Sequence, residues 1–357
     1  MNYSIAGALV VLVAIAALAF IFRGRLFTGR LPPDPPAGPP ASPPPPTREL
    51  YVASMGNHSI VGFAIDANGF VASTPSRVIH GPNTGLQNPF AVALGNTNRI
   101  WVANLGPLLP GQPPTGATIT VYDSDANGNA TPIRTITSQA VGSGFAATPS
   151  LANPSAIAMR RVPENLFVAN DASGRVFEFD LATDDQPTGG FEGSTHPQPT
   201  GVAVDSAQCI YVSDATPGSG SIAVFTPTQP GQYINQLTKA NPDLRITGVN
   251  NPGHLAIGPD RELFVVVRGN FELPTPNAAV YVYAVGATGT AAPIRVISGS
   301  NTQLVRPYGV AVDESGQAFV SNGESVLVFA PGASGNVAPS ESVSHFEINN
   351  AGGVAVR

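Results

Sequence analysis

The sequence predicts an all-β chain, a six-bladed β-propeller with an N-terminal single transmembrane helix, and three observations carry that prediction. A two-strand phrase recurs: a small-residue strand ending in x-Ala-x, then an aromatic-Val strand ending in a polar residue. Two unmatched halves of the phrase stand at opposite ends of the repeats. An uncharged apolar run and a proline tract precede them.

The complete copies begin with Phe90-Ala-Val-Ala-Leu94 and Ile100-Trp-Val-Ala-Asn104, then Ser155-Ala-Ile-Ala-Met159 and Leu166-Phe-Val-Ala-Asn170. They continue as Thr200-Gly-Val-Ala-Val204 with Ile210-Tyr-Val-Ser-Asp214, and Gly253-His-Leu-Ala-Ile257 with Leu263-Phe-Val-Val-Val267. The last is Tyr308-Gly-Val-Ala-Val312 with Ala318-Phe-Val-Ser-Asn322. Leu50-Tyr-Val-Ala-Ser54 lacks a first strand and Gly352-Gly-Val-Ala-Val356 lacks a second, so joined they make the sixth copy. Repeats of roughly 45 to 65 residues with four short strands each are the signature of a propeller. The split copy predicts closure by the C-terminal strand. The domain boundaries follow: a membrane anchor with a basic flank over 1–30, a proline-rich linker over 31–47, and the propeller over 48–357.

Composition agrees. Of 357 residues, 38 are Gly and 36 Pro, as a chain with many tight turns requires. Charged residues are 11% and the net charge is -6, with a single lysine, Lys239, so no basic footprint for nucleic acid exists. The lone Cys209 falls in a predicted strand, which leaves no disulfide framework and implies a buried, inert thiol.

Ile5 to Phe22 is an uncharged apolar run of 18 residues, long enough for a membrane helix. A cleaved signal peptide is the rival reading. It fits less well, because Met1-Asn-Tyr-Ser4 carries no Lys or Arg and the Ala-x-Ala matches lie inside the run. Orientation is contested. Arg23, Arg25 and Arg30 follow the helix, which by the positive-inside rule places the propeller in the cytoplasm. The low charge and Ala/Thr/Asn/Gly/Pro-rich repeats suit an exported domain, and they sample far more residues. The expectation is a single-pass protein of the cytoplasmic membrane with an extracytoplasmic (periplasmic) propeller. Leu31 to Thr47 holds ten prolines in 17 residues, a polyproline II spacer.

Within each repeat the third strand alternates, as in Thr118-Ile-Thr-Val-Tyr122 and Ser325-Val-Leu-Val-Phe329, which predicts a half-buried strand. A Gly-containing hairpin turn follows, such as Asp125-Ala-Asn-Gly128 or Gly332-Ala-Ser-Gly335. The outer strand is expected to begin at Pro132 or Pro293, since an outermost strand tolerates proline. The central Ala of each first strand (Ala93, Ala158, Ala203, Ala256, Ala311, Ala355) suits blades that converge on an axis.

Pro307-Tyr-Gly-Val-Ala-Val-Asp-Glu-Ser-Gly-Gln-Ala-Phe-Val-Ser-Asn322, and Pro199 to Asp205 with Ile210 to Asp214, resemble NHL-type repeats, whose relatives include gluconolactonase-like and regucalcin-like propellers. The resemblance spans Arg48 to Arg357 and implies a fold more firmly than a function. In the lactonase branch it implies an axial divalent cation, held by the Asn of a first-strand Pro-Asn-Gly and by second-strand Asp or Asn. Here that first-strand Asn is replaced by Phe90, Ser155, Thr200, Gly253, Tyr308 and Gly352, which argues against the site. No metal or other cofactor is therefore expected.

The candidate binding residues are the second-strand ends Asn104, Asn170, Asp214 and Asn322, with Ser54 beside them and Val267 interrupting the set. They either converge on a polar ligand or each hold the backbone of their own turn. His254 opens a first strand and is a candidate channel-mouth group without an identifiable catalytic partner. Asp123-Ser-Asp-Ala-Asn-Gly128 opens like an EF-hand loop, but Arg134 occupies the twelfth position, so a turn is expected. Long connections carry apolar residues: Leu105, Leu108 and Leu109 in blade two, Phe271 and Leu273 in blade five. Apolar loops on one face of a rigid disc suit protein binding or fold back as caps. The expected function is a membrane-anchored, non-catalytic scaffold, an extrinsic accessory subunit binding other subunits of a membrane complex. The alternative is a metal-dependent lactonase-like hydrolase using Asn104, Asn170 and Asp214 for the cation and His254 as acid or base.

Overall fold

The computed structural model describes residues 48–96, 98–108, 116–137, 151–181, 187–191, 198–227, 242–269 and 277–357. The expected membrane helix and proline linker lie outside them, and among the described residues no helix is long and apolar enough to cross a membrane.

Among the described residues, 24 strands form six four-stranded antiparallel sheets, the blades of a propeller. Blade one joins Glu49–Ser54, Ser59–Ala64 and Arg77–Ile79 to the C-terminal Ala351–Val356, which is its innermost strand. The other innermost strands are Pro89–Leu94, Pro154–Arg161, Pro199–Val204, Pro252–Ile257 and Pro307–Val312 in blades two to six. Each packs beside the next, and Ala351–Val356 lies against both Pro307–Val312 and Pro89–Leu94, completing the ring. Closure therefore occurs where the divided repeat places it, with Leu50 opposite Val356, Tyr51 opposite Ala355 and Val52 opposite Val354.

The core lies between blades. Each of six apolar clusters joins two neighbouring sheets. The second-strand aromatics Tyr51, Trp101, Phe167, Tyr211, Phe264 and Phe319 each fill the wedge toward the following blade. The aromatics ending the third strands, Phe63, Tyr122, Phe179, Phe225, Tyr283 and Phe329, fill the wedge toward the preceding one. The ladder explains the division: Leu50 stands opposite Phe63, so Tyr51 projects from the other face of the sheet. Burial of one such ring is worth about 1.5–3 kcal/mol. The recurring aromatic is thus an inter-blade spacer.

A clasp adds to the wedges. Gly128, at φ +60°, donates to the Val78 carbonyl at 2.8 Å and accepts from the His80 amide at 3.0 Å, so blade two's turn pairs with blade one's outer strand. Gly289 and Gly335 repeat the arrangement against Ile246 and Ile297. The EF-hand-like segment is part of this clasp: Asn127 Oδ1 accepts from the Val78 amide at 3.0 Å, and the Ser124 carbonyl from Arg77 Nη1 at 2.7 Å.

The outer strands begin later than the sequence reading placed them, at Arg134 and Arg295. Pro132 and Pro293 have no N–H for the ladder. The first amides to reach the neighbouring strand are those of Ile133 and Ile294, each 2.8 Å from its acceptor carbonyl on Val121 or Val282.

Candidate binding site at the axial mouth

One end of the axis is ringed by the residues that follow the opening prolines. Pro89, Pro154, Pro199, Pro252 and Pro307 pair with Asn104, Asn170, Asp214, Val267 and Asn322, after which each ladder slips. Such a bulge re-aims the residues it frees. Phe90, Ser155, Thr200, Gly253, His254, Tyr308 and Gly309 are those residues.

The small ones tie blade to blade. The Ser155 hydroxyl donates to the Pro199 carbonyl at 2.7 Å, and Thr200 Oγ1 to Pro252 at 2.8 Å. Ser213 and Ser321, on second strands, donate to the carbonyls of Gly253 and Gly352 at 2.7 and 2.5 Å. The approach is close enough that a Cβ on Gly352 would stand 2.4 Å from the Phe90 carbonyl oxygen.

The large ones meet over the axis. Tyr308 and Phe90 pack edge to face with centroids 4.6 Å apart, and His254 packs on Tyr308 at 4.9 Å. His254 Nε2 lies 2.7 Å from the Ser155 carbonyl oxygen. A carbonyl only accepts, so Nε2 carries the proton. Blades two, five and six thus touch through these side chains, and His254 adds the backbone of blade three. Burial lowers the His254 pKa to about 4, with the cationic Arg268 pushing the same way against the Ser155 hydrogen bond. Burial likewise raises the Tyr308 phenol.

The second-strand ends hold their own blades. Asn104 Oδ1 accepts from the Gln87 amide at 3.3 Å, and its Nδ2 reaches Thr120 Oγ1 at 3.0 Å. Asn170 Oδ1 accepts from the amides of Ala152 and Asn153. Asp214 Oδ1 accepts from the Thr216 hydroxyl at 2.6 Å and amide at 3.0 Å, and Asn322 Oδ1 from the amides of Val305 and Arg306 at 2.9 and 2.8 Å. Ser54 follows suit, accepting from the Asn349 amide at 2.9 Å. Among the described residues no cluster of three or more His, Cys, Asp or Glu could hold a metal ion.

Of the expected apolar contacts, Leu108 is 47% exposed, but Leu105 is buried, its amide bonded to the Asn88 carbonyl at 3.2 Å. Leu105 is therefore a packing residue, because it continues the backbone pairing of its blade past Asn104. Leu108 lines a groove of about 600 Å³ with Asn57, His58, His80 and Leu86. Leu109, Phe271 and Leu273 lie outside the described residues.

Two charged residues at this mouth escaped the sequence reading. Arg268 and Asp171 each stand one position beyond the second strand, in blades five and three. The Arg268 guanidinium lies over the Tyr308 ring, 5.6 Å from its centroid, and Nη2 donates to Asn251 Oδ1 at 2.8 Å. Asp171 Oδ2 accepts from Asn153 Nδ2 at 3.2 Å. Burial raises the Asp171 pKa against the opposing pull of Arg268, and the Asp214 charge adds to the rise. The available signal was Val267, which breaks the polar series one residue before the arginine.

At the other mouth, Asp205 pairs with Arg261 of the next blade at 2.6 Å, and Asp313 pairs with Arg48. These are the aspartates that follow Val-Ala-Val in the fourth and sixth blades, so that part of the repeat motif is an inter-blade tie.

The chain matches no family model and no curated protein. Solved structures do match it. A chain from the nidogen/laminin complex superposes with a TM-score of 0.59 at 12% identity, covering 87% of this chain and 98% of that one. A protein from Lactobacillus plantarum gives 0.52 at 16% identity, covering 83% and 82%. The WD40 β-propeller domain of Doa1 gives 0.51 at 11% identity, covering 85% and 81%. At such identities the likeness shows the fold alone, a β-propeller.

Proposed function

We propose that this chain is a membrane-tethered, non-catalytic propeller of NHL-like type that binds protein partners, an extrinsic accessory subunit of a larger membrane complex. The observation that carries this reading is the axial mouth. Phe90, Tyr308 and His254 pack on one another there, while Asn104, Asn170, Asp214 and Asn322 hold backbone and side chains of their own blades. A lactonase-like hydrolase needs those groups free to converge on a cation.

The apolar run Ile5–Phe22 and the proline tract after it support tethering, which raises the local concentration of the propeller near a membrane partner. The groove beside Leu108 supports docking there, since a rigid disc loses little entropy on binding. Gentle detergent extraction, size analysis and identification of co-purifying proteins test the proposal. A defined assembly, dissociated by Leu108→Asp, is the expected result. Recovery as a monomer extractable without detergent would overturn it.

A further inference from the structure

Arg268 has an unanswered donor. Its Nε is buried without a hydrogen-bond partner, and no carboxylate among the described residues pairs with the guanidinium. A buried unpaired donor on a charged group is costly and calls for an acceptor. Solvation alone does not explain the pose, because the side chain is folded inward. Its Cγ and Cδ would lie 3.3 and 3.4 Å from a Cβ on Gly253, so the glycine gives it room to lie across the first strand onto Tyr308.

Asp171 is the complementary case. It occupies the same position in blade three that Arg268 occupies in blade five, and the two do not meet as an ion pair. Its carboxylate accepts from the Asn153 amide and makes no ion pair among the described residues, Arg268 acting on it only at a distance, whereas the neighbouring Asp214 is held by Thr216 and Gln198. Tyr308 lies under the Arg268 guanidinium and within reach of the Asp171 charge, and the half-buried ring of Phe90 packs on it. One mouth therefore presents a hydrogen-bond donor cation, a carboxylate held apart from it, and an aromatic floor.

We infer that this mouth binds a zwitterionic α-amino acid with an apolar or aromatic side chain: the ligand carboxylate on Arg268, its ammonium on Asp171, and its side chain over Phe90 and Tyr308. Such a ligand satisfies both charges at once, which neither a simple anion nor a simple cation does. Carboxylate recognition by arginine is directional and charge-assisted, and the positive charge of the ammonium offsets the rise that burial imposes on the Asp171 carboxyl. The site goes beyond scaffolding and requires no chemistry, so its occupancy can be read independently of any partner.

The experiment is calorimetric titration of the full chain in detergent with L-phenylalanine, glycine, N-acetyl-L-phenylalanine and L-phenylalaninamide. Saturable binding of phenylalanine is expected, with each of the other three weaker. Arg268→Gln and Asp171→Asn should each lower affinity about tenfold or more, since each removes one charge-assisted contact. Both variants leave the inter-blade wedges intact, and an unchanged unfolding transition without ligand verifies this. Absence of phenylalanine binding overturns the inference, as does unchanged affinity in either variant. N-acetyl-phenylalanine binding as tightly as phenylalanine would reduce the mouth to a carboxylate site and equally overturn it.

Discussion

His254 Nε2 and the carbonyl oxygen of Ser155 stand 2.7 Å apart although 99 residues and a whole blade separate them. The bond passes over the propeller axis and holds blade five to blade three. Burial keeps the imidazole neutral, even though donation to a carbonyl by itself favours the charged ring.

Stability should accordingly fall with acid. The His254 pKa is depressed from 6.5 to about 4 in the folded state. Between those values the unfolded chain binds a proton that the folded one does not, so the contribution is complete above pH 6.5 and lost as pH falls toward 4. The shift corresponds to about 3 kcal/mol. Denaturant titrations at several pH values should show this slope, and His254→Gln should flatten it. An identical slope in the variant would refute the assignment.

Ring closure should depend on Glu49. This fully buried carboxylate accepts from Tyr51 Oη at 2.5 Å, Ser76 Oγ at 2.8 Å and Arg77 Nε at 2.9 Å, and pairs with Arg357 of the closing strand. Glu49→Ala leaves the buried Arg77 and the half-buried Arg357 without their carboxylate and should cost about 3–5 kcal/mol. Deleting Gly352 to Arg357 removes the innermost strand itself and should lower the melting temperature of the whole domain. A truncated protein that melts like the full-length chain contradicts the closure.

Two glycines should separate backbone strain from crowding. Gly128 has φ +60° and open space around its Cβ direction, so Gly128→Ala should cost about 1–2 kcal/mol from backbone conformation alone. Gly352→Ala forces a methyl to 2.4 Å from the Phe90 carbonyl oxygen and must push blades one and two apart. Its larger loss should appear in both thermal and denaturant unfolding. Equal effects at the two sites would mean that the axial approach is looser than described.

Asp214 should behave as a turn residue. Asp214→Ala removes the acceptor for the Thr216 hydroxyl and amide and should cost about 1–3 kcal/mol. Elemental analysis of purified protein should show no stoichiometric Ca²⁺ or Zn²⁺ in either form. A bound metal lost in the variant would restore the hydrolase reading.

Fold and blade count were legible because a propeller repeats one local pattern, and each copy restates the same strand alternation and turn. Even the closure could be read, from the separation of Leu50–Ser54 and Gly352–Val356. Local pairing of this kind depends on neighbours in the chain, which sequence order displays directly.

The site was legible only in part. Asn104, Asn170, Asp214 and Asn322 stood out as polar strand ends, but whether they turned to the axis or to backbone depended on tertiary placement, which sets the amides just before each opening proline within their reach. Phe90, His254 and Tyr308 lie far apart in sequence and meet only once the ring has closed. Arg268 and Asp171 are ordinary charges until Gly253 admits one inward and burial raises the other. Repetition along the chain prescribes a blade, whereas the contents of the axis arise from contacts among blades, and no local pattern encodes those.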